Sequence, residues 1–581
     1  MAVLNESRLE KPDSGEALAG FSGAAIQGDA YLMRQLFGLS HFSSFGLPAR
    51  VRERMPPACS VRCMPFPSLC LATLIVFVCT YMLTQNLFVL REARSWFVHG
   101  GWINGIGAST YWLFPAGSNT RYTSMLFANF LGKTCGVSIE CTNAFQSGLV
   151  ALGFAAVLIH SFQLLGTYRL SLFAASLWVM SSPMLSASIW QAVQHDKLAT
   201  ILSILILALS VEYFSRAGGS RLSAALFSAV LTVLLGVAFN AKESTFILPF
   251  CITFLAITLS VKAGNNIRQR LLVIALPMVY SAWYITYYLV HLQAQWSQHI
   301  ASGSPLGGVR DLFLFLLNIN LGFLPGWGVS NDIAILVAKA IYIMFVVFVT
   351  VLLLVWVAGE RRVKTGSSSR MPERVFLYWR ELYTLAIFVI SVAVVVRTRY
   401  PGAYYMIIPS WAGIVLTIMV LKRLASKFDP GSLLFQALLT SLAVPMLISY
   451  STHFFPGGGV SRLLQGSREI ESSFTAVRSL LPSDKVKAVR LTISGTPYGD
   501  WLLLWGRGEE KLDSDLGPYI FNDLSVHPLM IDGRDTLNQG RGPVSEAQLT
   551  PQGEAEITLS EEYRLVKVSF GGTLVFQGAD H

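Results

Sequence analysis

Charged residues are scarce in this sequence of 581 residues, and the scarcity excludes an ordinary soluble protein. Asp, Glu, Lys and Arg make up 13% of the chain and hydrophobic residues 53%, whereas soluble globular proteins carry roughly 25% charged residues. Residues 1–450 contain 17 of the 34 acidic residues and 32 Lys and Arg, so this part is strongly basic. Its basic residues lie in short loops between apolar runs, as in membrane proteins with positive cytoplasmic loops. This pattern excludes nucleic acid as a partner.

A continuous apolar run is also lacking in the first sixty-odd residues, which argues against a cleavable signal peptide there. Residues 1–66 are rich in Ser, Gly and Ala and contain seven Lys and Arg. We expect them to form a largely disordered cytoplasmic tail. The alternative for residues 30–40 is a short amphipathic helix on the membrane surface.

Eleven apolar runs between residues 67 and 450 have the length of a bilayer-spanning helix, which is about 20 residues. The sequence therefore predicts a mainly α, polytopic membrane domain over residues 67–450 with about 11 transmembrane helices. The predicted spans are Ser68–Leu90, Ala144–Leu165, Leu170–Ser188, Leu198–Phe214, Leu222–Phe239, Ser244–Val261, Leu271–His291, Ile333–Ala358, Leu382–Val396, Ala403–Leu421 and Ser432–Tyr450.

The distribution of loop charge predicts the orientation of these spans. The loop Gly359–Arg380 contains six Lys and Arg, and positive loops stay in the cytoplasm. Placing the N-terminus inside puts this loop and the other basic loops inside, provided that Asp311–Pro325 is a re-entrant or interfacial helix. An odd number of spans then puts the C-terminus outside. We therefore expect a multi-pass protein of the bacterial inner membrane with a periplasmic C-terminal domain.

Two long segments fall on this outer side. The first outer loop is residues 91–141, and its Cys135 and Cys141 lie in an oxidising compartment, where a local disulfide is one interpretation and two buried free thiols the other. The second segment is residues 451–581. Its alternating runs 485–493 and 554–576, separated by turn residues, predict a soluble β-rich or α/β domain.

The sequence shows no internal repeat and no inverted pair of broken helices, which many transporters contain. It does place charged clusters at the outer helix ends, where ionisable residues in a membrane protein indicate function. The alternative for each cluster is interfacial anchoring by snorkelling side chains. The clusters are Arg91–Arg94, Gln191–Lys197, Lys242–Glu243 and Arg397–Pro401.

Three segments resemble the GT-C superfamily of membrane glycosyltransferases. Arg121–Val157 is similar to an amphipathic outer helix followed by the second span. Gly236–Pro249, with Lys242 near its centre, resembles the Gly…Thr-Lys-x-x-x-(Leu)n-Pro pattern of the superfamily. Arg399 and Tyr400, followed by apolar residues and Pro409, are similar to its Arg-Tyr-x-x-Pro segment. The resemblance implies a polyprenyl-phosphate-linked sugar as donor.

The resemblance also implies roles for particular residues. Many members carry an Asp in the first outer loop as catalytic base, but here that loop has no Asp and only two acids, Glu92 and Glu140. Glu92 is the first candidate for the general base and Asp196 the second, since an acceptor hydroxyl needs a carboxylate within hydrogen-bond reach. His195 and Asp196 are alternatively two ligands of a divalent cation. Fixed cations would hold the donor phosphate, and the candidates are Lys242, Arg397, Arg399 and Tyr400.

The sequence thus predicts an inverting glycosyltransferase that moves a sugar from a polyprenyl-phosphate donor to a periplasmic acceptor. The acceptor is a glycan, lipopolysaccharide, glycolipid or pilin-like protein, and no certain cofactor is implied. One alternative is an O-antigen polymerase or ligase, which would place its arginines and a His in one large late outer loop. The other is a transporter, which would carry ionisable residues at mid-span.

Overall fold

The structure is a computed structural model. It describes residues 59–87, 122–189, 193–216, 220–262, 267–296, 337, 340–341, 343–351, 378–396, 406–428, 433–454, 459–481, 485–486, 488–493, 511–512, 554–559, 564–571 and 573–577.

The described residues are mainly helical, with strands only near the C-terminus. The helices are α1 Phe66–Thr84, α2 Tyr122–Cys135, α3 Ile139–Leu165, α4 Tyr168–Met180, α5 Ser182–Ile189, α6 Gln194–Ser215, α7 Arg221–Phe239, α8 Leu248–Lys262, α9 Ile267–Trp296, α10 Trp379–Val396, α11 Ile407–Phe428, α12 Leu433–Thr452 and α13 Gly459–Leu480, with 3₁₀ helices at Val61–Cys63 and Glu243–Ile247.

Seven of the described helices are long and apolar enough to cross a membrane, and the number is eight if a bent pair counts as one span. Each of the seven overlaps a span that the apolar runs predict. The chain is therefore a multi-pass membrane protein. The seven segments are Phe66–Thr84, Ile139–Leu165, Gln194–Ser215, Arg221–Phe239, Gln269–Val290, Ile407–Ser426 and Leu433–Thr452.

The bent pair corrects one predicted span. Leu170–Ser188 was expected to be a single helix, but α4 and α5 meet at an angle of 56°. Ser181 between them has an extended backbone, and Pro183 follows in the first turn of α5. Proline has no N–H to donate to the preceding turn and its ring clashes with the carbonyl four residues earlier, which favours a break or a kink at this point.

Helix α3 lies at the centre of the bundle and runs parallel to α6. Gly153 of α3 lies beside Ile201 of α6, and further along both helices Gln163 donates its side-chain N–H to the carbonyl of Ala208 at 3.0 Å. A Cβ at Gly153 would lie 3.0 Å from the Trp178 ring of α4. The glycine therefore lets α3, α4 and α6 pack closely.

The end of the predicted cytoplasmic tail packs against this bundle. The Cys59 N–H donates to the carbonyl of Gln163 in α3 at 3.3 Å. The Ser60 hydroxyl and the Val61 N–H donate to the two carboxylate oxygens of Glu212 in α6, at 2.9 and 3.2 Å. These contacts hold the start of α1 against the predicted cytoplasmic ends of α3 and α6.

After α12, the chain forms the amphipathic helix α13 and five strands. The strands are β1 Ala488–Ile493, β2 Lys511–Leu512, β3 Glu554–Leu559, β4 Leu565–Phe570 and β5 Thr573–Gln577. They form one sheet in the order β2-β1-β3-β4-β5, in which β1 and β3 are parallel and the other pairs antiparallel. In β3, Ala555, Ile557 and Leu559 are fully buried, the period of two expected for a strand with one covered face. Four of these strands lie in the two runs that alternate in the sequence.

Candidate functional site

Asp196 is buried in the first turn of α6, with 5% of its surface exposed. A carboxylate at this position is stabilised by the positive end of the helix dipole. That stabilisation is worth about 2 kcal/mol at most, which is less than the cost of burying an unpaired charge. The carboxylate therefore requires a cation as a partner.

Lys242 supplies this cation from the turn between α7 and the 3₁₀ helix Glu243–Ile247. Its Nζ lies 2.6 Å from Oδ1 and 2.6 Å from Oδ2 of Asp196, and only 4% of its surface is exposed. The two residues are 46 positions apart in the sequence. The ion pair consequently joins the start of α6 to the end of α7.

Two tyrosines of α9 hold the turn that presents Lys242. The Tyr284 hydroxyl donates to the side-chain oxygen of Asn240 at 3.0 Å, and the Tyr288 hydroxyl donates to the Glu243 carboxylate at 2.9 Å. Residues four apart lie on one face of a helix, so α9 contacts the turn on both sides of Lys242. This arrangement orients the ammonium group toward Asp196.

Helix α2 packs on the same turn, and its far end is covalently attached to α3. The Ser124 hydroxyl donates to the carbonyl of Ala241 at 3.1 Å, and the Gln194 side-chain N–H contacts the carbonyl of Ser124 at 3.5 Å. The structure joins Cys135, the last residue of α2, to Cys141 in the first turn of α3 through a disulfide. The segment that resembles the GT-C outer helix thus lies beside the Asp196–Lys242 pair.

His195 precedes Asp196 and is almost as deeply buried. Its Nε2 lies 3.1 Å from Oδ2 of Asp196. A divalent cation held by these two side chains would have to displace the Lys242 ammonium, which contacts both carboxylate oxygens. Within the described ranges, no group of three or more His, Cys, Asp or Glu is placed to hold a metal. In the described structure, the Asp196 carboxylate therefore binds the Lys242 ammonium, and the two predicted metal ligands stay a prediction.

Lys197 is a fourth ionisable residue at this site, and no specific role was predicted for it. It is 2% exposed, and across the described parts of the chain its Nζ makes no hydrogen bond. The sequence placed it in the charged cluster Gln191–Lys197 at an outer helix end, but its burial could not be predicted because burial depends on how the helices pack.

The structure brings together Asp196, Lys242 and His195 of the residues predicted for the site, and it pairs Cys135 with Cys141. The other four, Glu92, Arg397, Arg399 and Tyr400, lie outside the described residues. Lys242 was expected at the donor phosphate, yet here its ammonium contacts a carboxylate.

No protein-family model matches the chain, and no curated protein does. Among solved structures, the chain is similar to the oligosaccharyltransferase of Archaeoglobus fulgidus, crystallised as a complex with zinc and sulfate, with a TM-score of 0.37 and 13% identity. The similarity covers 70% of this chain and 55% of that protein, so the chain spans about half the length of the archaeal enzyme. At this TM-score, the similarity assigns no function to the chain.

Proposed function

We propose that the chain is an inverting glycosyltransferase that moves a sugar from a polyprenyl-phosphate donor to a periplasmic acceptor. The observation that carries the proposal is the buried cluster of Asp196, Lys197 and Lys242 at the predicted outer helix ends. Ionisable groups are costly at membrane depth and mark functional sites. One member of the cluster, Lys242, lies in a segment that resembles the GT-C superfamily.

The position of the buried charges favours an enzyme over a transporter. In the described helices and turns, the buried Asp, Glu, Lys and Arg side chains all lie within four residues of a helix end, and none lies at mid-span. These residues are Asp196, Lys197, Lys242 and Arg270. A translocation pathway would instead place such groups near the middle of the bilayer.

The reaction needs a base and fixed positive charge. The base takes the proton of the acceptor hydroxyl, and the acceptor oxygen forms a bond to the anomeric carbon. The bond from that carbon to the phosphate oxygen breaks, and polyprenyl phosphate leaves with the bonding electrons. Attack opposite the leaving group inverts the anomeric configuration. A positioned base contributes about 10²–10⁴-fold to such a step.

We assign the base to Glu92, with Asp196 as the second candidate. Asp196 already accepts from Lys242 through both oxygens and contacts His195, which reduces its availability to an acceptor hydroxyl. Arg397, Arg399 and Tyr400 are assigned to the donor phosphate, because arginine binds phosphate oxygens in a bidentate way. We assign Lys242 a structural role as the ion-pair partner of Asp196.

The proposal is tested with the purified chain and a panel of sugars linked to undecaprenyl phosphate. Donor consumption and release of undecaprenyl phosphate are followed by mass spectrometry in the presence of lipopolysaccharide, glycan and protein acceptors. We expect one donor to be consumed in an acceptor-dependent way, with a product of inverted configuration by NMR. Glu92→Gln should lower the rate by at least about 100-fold at unchanged Tm.

Two outcomes would contradict the proposal. Consumption only of oligosaccharides on a carrier diphosphate would identify the chain as a polymerase or ligase of envelope polysaccharide. Consumption of no lipid-linked sugar by a folded protein would remove the glycosyltransferase assignment. If Glu92→Gln retains full activity and Asp196→Asn loses it per folded molecule, the role of base passes to Asp196.

A further inference from the structure

Among the described residues, the start of α6 brings two buried lysines next to one buried carboxylate. One carboxylate, that of Asp196, lies here with the amines of Lys197 and Lys242, and all three residues are at most 5% exposed. Lys242 contacts both oxygens of Asp196 at 2.6 Å, so the carboxylate is already engaged. Lys197 makes no hydrogen bond in the described structure. A buried lysine of this kind is either neutral or compensated by an anion, so an anion that enters the site would favour the charged form of Lys197.

Helix α3 carries another buried polar side chain without a hydrogen bond in the described structure. Gln146 is 2% exposed, and neither atom of its side-chain amide forms a hydrogen bond within the described ranges. A buried amide usually donates and accepts, and leaving it unsatisfied costs about 1–3 kcal/mol. Gln146 and Lys197 are therefore both buried polar side chains that lack a hydrogen-bond partner in the described structure.

Because α3 and α6 pack in parallel, Gln146 and Lys197 lie at similar heights along the two helix axes. Gly153 lies beside Ile201, Gln146 is two turns before Gly153, and Lys197 is one turn before Ile201. Side chains on a helix lean toward its N-terminus, and a lysine reaches further than a glutamine. Both polar ends thus lie at the predicted outer end of the α3–α6 interface.

We propose that Lys197 and Gln146 bind the phosphate end of the lipid-linked donor, an inference that rests on the proposed function. Lys197 Nζ has three N–H donors for phosphate oxygens. The Gln146 side chain provides an N–H for the phosphate and an oxygen for a hydroxyl of the attached sugar. An anion here would give Lys197 a partner without separating Lys242 from Asp196.

The test measures binding by the full chain in nanodiscs of neutral phosphatidylcholine. The probes are undecaprenyl phosphate, undecaprenol as its uncharged match, and inorganic phosphate as a competitor. We expect the wild-type chain to prefer undecaprenyl phosphate over undecaprenol. Lys197→Met should weaken the phosphate form by about 10- to 100-fold and leave undecaprenol unchanged, while Lys197→Arg stays within a few-fold of wild type. The matched control Lys133→Met, at an exposed lysine in the last turn of α2, should change neither affinity.

Gln146→Leu provides an independent arm if Lys197→Met folds poorly, and it should weaken the phosphate form less than Lys197→Met does. Inorganic phosphate should compete with undecaprenyl phosphate for the wild-type chain. Loss of this competition in Lys197→Met would support a site that binds the phosphate group itself. If both variants bind undecaprenyl phosphate as the wild type does, the site is wrong although recognition of a lipid phosphate stands. If the wild type binds undecaprenol equally well, this site and the polyprenyl-phosphate donor both fail, and the donor panel then decides the enzyme class.

Discussion

Removing either partner of the Asp196–Lys242 pair should destabilise the protein strongly and unequally. Both residues are at most 5% exposed, and breaking a buried pair leaves one uncompensated charge at a cost of about 3–5 kcal/mol. Asp196→Asn leaves two buried lysines, Lys197 and Lys242, without the carboxylate next to them. Lys242→Met leaves Asp196 with its contact to His195 and its attraction to Lys197. We therefore expect Asp196→Asn to be the less stable variant.

The double variant Asp196→Asn/Lys242→Met should be more stable than Asp196→Asn alone, because it no longer buries the Lys242 charge. The coupling between the two substitutions is expected to reach at least the upper part of the 0.5–3 kcal/mol range seen for residues in contact. Unfolding of a chain with many spans is not two-state. The assay is therefore the Tm and the half-life at a fixed temperature of purified protein, followed by intrinsic fluorescence.

The pair of Arg423 and Glu381 is the matched control, since its side chains are more exposed, at 33% and 18%. Glu381→Gln and Arg423→Met should each cost about 1 kcal/mol or less. The reasoning is refuted if Lys242→Met is the less stable single variant, or if the effects of the two substitutions simply add. It is also refuted if breaking the control pair costs as much as breaking the buried one.

Three further predictions concern topology, donor binding and the outer helix. Alkaline phosphatase fused after Tyr450 should be active and a fusion near Ser367 inactive, because the loop charges place these sites outside and inside; the reverse activities would overturn the orientation. Arg399→Ala should raise the donor KM and lower kcat, by about 1.5–3 kcal/mol in kcat/KM, and wild-type kinetics in a folded variant would contradict this role. Replacing Cys135 and Cys141 with Ser should destabilise the protein by about 2 kcal/mol. The Tm should fall, and adding a reductant should no longer change it. An unaltered Tm would show that the disulfide is dispensable.

The positions of most membrane-spanning helices could be predicted from the sequence, because a long apolar run is enough to specify such a helix. Seven apolar runs coincide with described helices, because about 20 apolar residues in a row are stable in a bilayer only as a helix. The bend between α4 and α5 was missed, although Pro183 was visible, since a proline in an apolar run either kinks a helix or begins a new one. Which of these occurs depends on packing around Ser181 and Ser182, which is a tertiary property.

The components of the site were predictable from the sequence, but their pairing was not. Charge at the outer helix ends selected Asp196 and Lys242 separately, and the nearest acid to Lys242 in the sequence is Glu243. In the structure Lys242 contacts Asp196, 46 positions away, whereas Glu243 accepts from Tyr288 of α9. Local sequence cannot specify such contacts, because they depend on how α6, α7 and α9 pack together.

The partner of Lys242 also differs from the one that the resemblance to known transferases implies. The resemblance of Gly236–Pro249 predicted a phosphate as the partner of this lysine, yet in the structure its Nζ lies 2.6 Å from both oxygens of a buried carboxylate. To bind phosphate, Lys242 would have to leave Asp196 uncompensated or share its donors between two anions. Lys197 has no such competing hydrogen bond in the described structure. The two roles separate experimentally: a phosphate ligand changes the donor KM when removed, whereas a structural cation changes Tm first. Measuring both quantities for Lys197→Met and Lys242→Met therefore decides which lysine binds the donor.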